Sequence, residues 1–122
     1  MYKKNLFIGV LVVALSLVLV ACGSGAGSAP TGVHLTLKAQ DIKFDLKEIK
    51  AKVNQPVNIT FISEGTIEHT FVVVDLGVKE TVLPGQKKVI TFTPNKTGTF
   101  KFVCDVLGHT ESGMVGQLIV EP

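Results

Sequence analysis

The chain has 122 residues, room for one small domain beyond any leader, and its 12 basic residues are all lysine, set against 10 acidic ones. A formal net charge of +2, no arginine and no basic cluster exclude a nucleic-acid-binding surface. Two cysteines and a hydrophobic content of 46% leave the assignment to the pattern along the chain.

Lys3 and Lys4 precede an almost unbroken apolar run from Leu6 to Ala21, and Leu19-Val20-Ala21-Cys22 closes it with small residues. A basic start, an apolar middle and a small-residue end form the layout of an export signal, and the run is too short for a spanning helix. The LVAC tetrapeptide resembles the lipobox of bacterial lipoproteins, which implies cleavage before Cys22, acylation of its sulfur and a lipid anchor on the extracytoplasmic face of the cell membrane. Residues 1–21 are therefore read as signal peptide. Residues 22–32, rich in glycine, serine and alanine, are read as the lipidated cysteine and a tether, and residues 33–122 as the domain. Without Lys3 and Lys4, 10 basic residues face 10 acidic ones and the mature chain is formally neutral.

The domain reads as strands throughout. Val33, Leu35 and Leu37 alternate with His34 and Thr36; Ile42, Phe44 and Leu46 alternate with Lys43 and Asp45; Val57, Ile59 and Phe61 alternate with Asn58 and Thr60. Further runs cover 69–74, 89–93, 99–104 and 115–120, separated by turn signals such as Leu83-Pro84-Gly85 and Pro94-Asn95-Lys96. Seven or eight short strands and no amphipathic helix predict an all-β antiparallel sandwich. Period two puts Phe100, Phe102 and Cys104 in one phase, His69 with Phe71 and Val73, and Met114 with Leu118 and Val120, although Ile119 then falls outside. His34 points away from its apolar neighbours and is left at the surface. Lys79, Glu80, Lys87 and Lys88 read as a solvated rim around a turn.

With Cys22 lipidated, Cys104 has no partner in its own chain, so in an oxidising compartment it is either a bridge to another chain or a sulfur kept for chemistry. Alone, it could be an inert core residue, as Met114 and His69 could be core filler. The stretch CDVLGHTESGM places Cys104, His109 and Met114 at steps of five, a spacing that suits neither face of a helix nor of a strand and so predicts a loop. Gly108 and Gly113 would let that loop turn back on itself. With His69 at the start of a strand in the same phase, the donors are one thiolate, two imidazoles and a thioether, the set of a mononuclear copper electron-transfer site.

The domain resembles the cupredoxins, the small blue copper proteins. The resemblance runs through VNQPVNITFISEG before His69, LPGQKKVITFTPNKTGTFKFVC into Cys104, the Cys-x4-His-x4-Met loop and the closing GQLIVEP strand. It implies a Greek-key sandwich with one type 1 copper near one end, held by His69, Cys104 and His109 in the equatorial plane and Met114 on the axis. It further implies that electrons enter at the edge of His109, with Val106, Leu107 and Gly108 in an apolar docking patch. Thr70 and Asp105 depart from the family pattern, in which an asparagine commonly follows the first histidine and ties its strand to the residue after the cysteine. Glu68, just before His69, is expected to lower the potential by favouring Cu(II).

The function expected is therefore a non-enzymatic, monomeric carrier that passes single electrons between redox proteins at the membrane through transient contacts. A copper chaperone or storage protein is the alternative, disfavoured because Met114 is the one methionine outside the leader. A copper enzyme would need further histidines than His34, a binuclear site would need a second cysteine in the loop, and a metal-free adhesion sandwich would leave that loop without a purpose.

Overall fold

The computed structural model describes residues 32–122. The signal segment, Cys22 and all of the tether but Gly32 lie outside the described residues. Nine strands form two sheets: β1 Val33–Gln40, β2 Lys43–Phe44, β3 Glu48–Lys52, β4 Val57–Ser63, β5 His69–Val73, β6 Val78–Val82, β7 Lys87–Phe92, β8 Gly98–Val103 and β9 Val115–Glu121. One sheet runs β2-β1-β4-β7 and the other β3-β9-β8-β5-β6. A single 3₁₀ turn, Val74–Leu76, is the only helical element among the described residues. The all-β sandwich follows from the alternation. In β4 every second residue, Val57, Ile59, Phe61 and Ser63, is buried, and in β9 Gly116, Leu118 and Val120 are.

Three local features depart from the sequence reading. Most neighbouring strands are antiparallel, but β1 pairs with β4 and β3 with β9 in parallel. The strand expected around Ile42, Phe44 and Leu46 shrinks to the two residues of β2, because the chain turns at Asp41 (φ 42°) and leaves Ile42 exposed while Phe44 enters the core. The charge-rich segments EIKAK and VKETV, absent from the strands that alternation predicts, form the sheet edges β3 and β6, and Lys79 and Glu80 of the expected rim lie on β6. Lysine and glutamate on an edge strand discourage pairing with another chain, so charge there is consistent with a strand.

Between the sheets lies a core of Phe44, Phe61, Phe71 and Phe102 interleaved with Leu37, Ile59, Val73 and Leu118. Phe102 stands edge-on to Phe44 at 5.2 Å and lies 5.3 Å from Phe71, separations at which aromatic rings attract beyond their buried area. The ends of β4, β6 and β8 and the starts of β5, β7 and β9 meet at one pole of this sandwich. That pole carries the loop from Cys104 to Met114. At the opposite pole the Val33 N–H donates to Pro56 O at 2.9 Å.

Candidate metal centre

Cys104 follows β8 and keeps the phase of Phe100 and Phe102, so its side chain enters the interior, fully buried. His69 opens β5 and is equally buried, and Thr70 beside it is buried on the other face because the chain around Cys104 lies over it. All of β5 is buried, which strict alternation did not anticipate.

The segment between β8 and β9 is a loop of tight turns, as the five-residue spacing requires. Gly108 (φ 82°) and Gly113 (φ 92°) take left-handed conformations that a residue with a Cβ resists. These turns bring the loop back on itself: the Cys104 N–H donates to Met114 O at 3.1 Å, and the Met114 N–H donates to His109 O at 3.0 Å. The Thr110 hydroxyl donates to Cys104 O at 2.7 Å. From outside, the Lys47 ammonium donates to Gly113 O at 3.0 Å and Val115 O at 3.3 Å, the carbonyls on either side of Met114. Met114 is thus tied by backbone to both Cys104 and His109, and its side chain is fully buried.

One donor atom each from His69, Cys104 and His109 lies within 4.8 Å of the others. The Cys104 Sγ is 3.9 Å from His69 Nδ1 and 3.3 Å from His109 Nδ1, and the two imidazole centroids are 5.2 Å apart. Burial holds the His69 imidazole below its ordinary value of 6.5, the neighbouring His109 adds to the effect and the Asp41 charge opposes it. A neutral imidazole has a free lone pair, as metal binding requires. The far nitrogen, His69 Nε2, is buried with no hydrogen-bond partner among the described residues. A thiol and two imidazoles converging in the buried interior, with a buried thioether residue on the same loop, fit one type 1 copper.

Around the sulfur, the Thr70 N–H donates to Sγ at 3.3 Å. The Asp105 N–H donates to Thr70 Oγ1 at 2.8 Å, and the Thr70 hydroxyl faces Asp105 Oδ1 at 2.7 Å. Thr70 and Asp105 therefore make a tie between the strand of His69 and the residue after Cys104, although neither is the asparagine common at the first of these positions in the family. Lys79 on β6 pairs with Asp105 Oδ2 at 2.6 Å. Lys79 and then Thr70 hold the Asp105 carboxyl below the usual carboxylate range. Lys79 and Lys47 were both missed as contributors to the site: their contacts span 26 and 66 residues of chain, and a lysine in a charged strand or loop carries no local sign of them. Glu68 is exposed, His34 is exposed on β1, and neither belongs to the cluster.

Of the three clustered residues, only His109 retains any solvent exposure, 5%. Beside it Leu107 is 97% exposed, and Ile42, Ile67 and Leu83 are exposed on other loops of the same pole. Among the described residues no helix is long and apolar enough to cross a membrane.

A family model described as a cupredoxin-like domain matches residues 10–120. Auracyanin-A of Chloroflexus aurantiacus is 26% identical over 148 aligned positions, spanning 88% of this chain and 91% of that protein. Nitrous-oxide reductase of Stutzerimonas stutzeri is 35% identical over 83 residues, 65% of this chain and only 13% of that enzyme. Among solved structures, reduced auracyanin from the photosynthetic bacterium Roseiflexus castenholzii superposes with a TM-score of 0.68 at 22% identity, covering 74% of this chain and 98% of its own.

Proposed function

The chain belongs to the cupredoxin-like domain family, and from that premise we propose that it is a mononuclear blue copper protein, an electron carrier rather than an enzyme, whose metal is held by His69, Cys104, His109 and Met114. The observation that carries this reading is the convergence of the Cys104 sulfur and the two Nδ1 atoms in a buried pocket, on a chain otherwise poor in sulfur. Copper bound there would supply a one-electron couple between Cu(II) and Cu(I).

The protein's own part is to hold the donors still and dry. His69 sits on a strand, Cys104 at a strand end, and the loop is fastened by its Cys104–Met114 and His109–Met114 backbone bonds, so the donor positions have little freedom to follow a change of charge. His109 provides the shortest way in for an electron, since its edge reaches the surface. Leu107 beside that edge, with Ile42, Ile67 and Leu83 exposed on other loops of the same pole, suits brief docking of a redox partner as donor or acceptor. The carrier acts as a monomer in this reading.

Residues 1–21 act as an export signal and Cys22 as the lipid attachment point on the extracytoplasmic face of the membrane. Gly32 and Val33 enter the fold at the pole opposite the metal centre, so an anchor at Cys22 leaves the His109 pole free for partners. Cys22→Ser is expected to release the protein from membranes; continued attachment would show another anchor.

Addition of Cu(II) to the purified protein tests the metal centre. An intense thiolate-to-copper charge-transfer band that disappears in Cys104→Ala supports the reading. Copper held as colourless Cu(I) would favour a chaperone or storage role, and no copper binding would overturn the ligand assignment.

A further inference from the structure

The Thr70 hydroxyl has one hydrogen and two acceptors within reach. Asp105 Oδ1 lies at 2.7 Å and the Cys104 sulfur at 3.6 Å. A hydroxyl donates once, and an ionised carboxylate oxygen at that distance makes a shorter and stronger bond than a sulfur. The second carboxylate oxygen, Oδ2, is held by Lys79 at 2.6 Å, and the Asp105 N–H donates to the same Thr70 oxygen at 2.8 Å, so the carboxylate is fixed at both ends against the hydroxyl. Apart from the two imidazole nitrogens that would hold the metal, the sulfur is left with one firm donor among the described residues, the Thr70 N–H at 3.3 Å.

We propose that Asp105 is a positioning residue that holds the Thr70 hydroxyl hydrogen away from the Cys104 sulfur, and that Lys79 keeps Asp105 in place to do so. The inference rests on the copper reading. Each hydrogen bond to a metal-bound thiolate withdraws electron density from sulfur, which weakens its donation to the metal and favours the reduced state. By occupying the hydroxyl, Asp105 leaves the sulfur a stronger donor than two hydrogen bonds would allow. The backbone tie between the strand of His69 and the residue after Cys104 is a separate matter, since it uses the Asp105 N–H and not its carboxylate.

The test follows the thiolate-to-copper band and the potential in copper-loaded protein for Asp105→Ala, Asp105→Asn, Thr70→Val, Thr70→Ser and the paired variants. In Asp105→Ala the freed hydroxyl turns to sulfur, so the band moves to higher energy and the potential rises. Asp105→Asn keeps an oxygen facing the hydroxyl, and its band stays with the wild type even though the charge is gone. In the Thr70→Val background, Asp105→Ala leaves the band where Thr70→Val alone puts it, whereas in the Thr70→Ser background the response returns. A band that does not move in Asp105→Ala overturns the inference, and one that moves equally with and without the hydroxyl overturns it and assigns the shift to charge alone. Absence of the band in the wild type would instead remove the copper reading itself.

Discussion

Replacing Gly116 by alanine should destabilise the domain and loosen the metal centre, although the residue touches no donor. Gly116 lies on β9 directly across from Phe102 on β8 and is buried. A Cβ there would stand 2.6 and 2.7 Å from two carbons of the Phe102 ring and closer still to Cζ, whereas carbon atoms rest at about 3.5–4.0 Å. The ring must therefore move by about 1 Å or more. It has nowhere to go, because Phe44 and Phe71 flank it at 5.2 and 5.3 Å and all three are buried. Overpacking of a filled core typically costs about 1–3 kcal/mol, and for a domain of this size each kcal/mol lowers Tm by roughly 4–8 °C. Thermal unfolding of the metal-free protein by circular dichroism should thus show Tm lower by roughly 5–20 °C. Phe102→Leu makes room for the methyl, so the double variant should be more stable than the two single changes summed. Phe102 also sits two residues before Cys104, so the charge-transfer band should broaden in Gly116→Ala and sharpen again in the double variant. A Tm within about 2 °C of the wild type, below the ~1 kcal/mol expected of overpacking, would refute the pairing of Gly116 against the ring.

Phe71→Ala should cost about 3–5 kcal/mol in chemical denaturation, since Phe71 is fully buried against Phe61 and Phe102. Leu107→Ser should leave Tm within the shift of about 0.5 kcal/mol usual for surface changes, while electron exchange between oxidised and reduced molecules, followed by NMR line broadening, slows; an unchanged rate would move the docking surface elsewhere. For metal-free protein, the depressed His69 means that the unfolded chain takes up the proton first as pH falls: stability is fully present above the ordinary value of 6.5 and declines as pH drops through and below it. His69→Gln should flatten that part of the Tm profile. Glu68→Gln should raise the potential measured by protein-film voltammetry, only slightly because Glu68 is exposed; an unchanged or lowered potential would show that its charge does not reach the metal.

The all-β class was legible because alternation is a local property: Val57 to Ser63 and Val115 to Val120 declare one wet and one dry face without reference to any neighbour. The metal loop was legible for a similar reason. Cys104, His109 and Met114 are bound to one another by ten residues of chain, and two glycines within it mark where it must turn. His69 was legible only by phase and resemblance, since 35 residues separate it from Cys104 and the meeting of their strand ends is decided by how the sheet assembles.

Other features belong to the tertiary structure alone. Strand direction is one: β1 and β4 could each satisfy their alternation in either sense, and the parallel pairing is selected by which arrangement closes the common core. The edges are another, because EIKAK and VKETV have too few apolar residues to announce themselves and become strands only when β9 and β5 offer them a ladder. The surroundings of the sulfur are the clearest case. Thr70, Lys79 and Asp105 are polar residues with no shared period, and whether a hydroxyl hydrogen serves a thiolate or a carboxylate is decided by a difference between 2.7 and 3.6 Å. The spacing of Cys104, His109 and Met114 marks three candidate donors, because their chemistry is carried by residue type within one short loop, whereas His69 joins them through phase and resemblance. How strongly the sulfur among them can donate is set by distances that only packing creates.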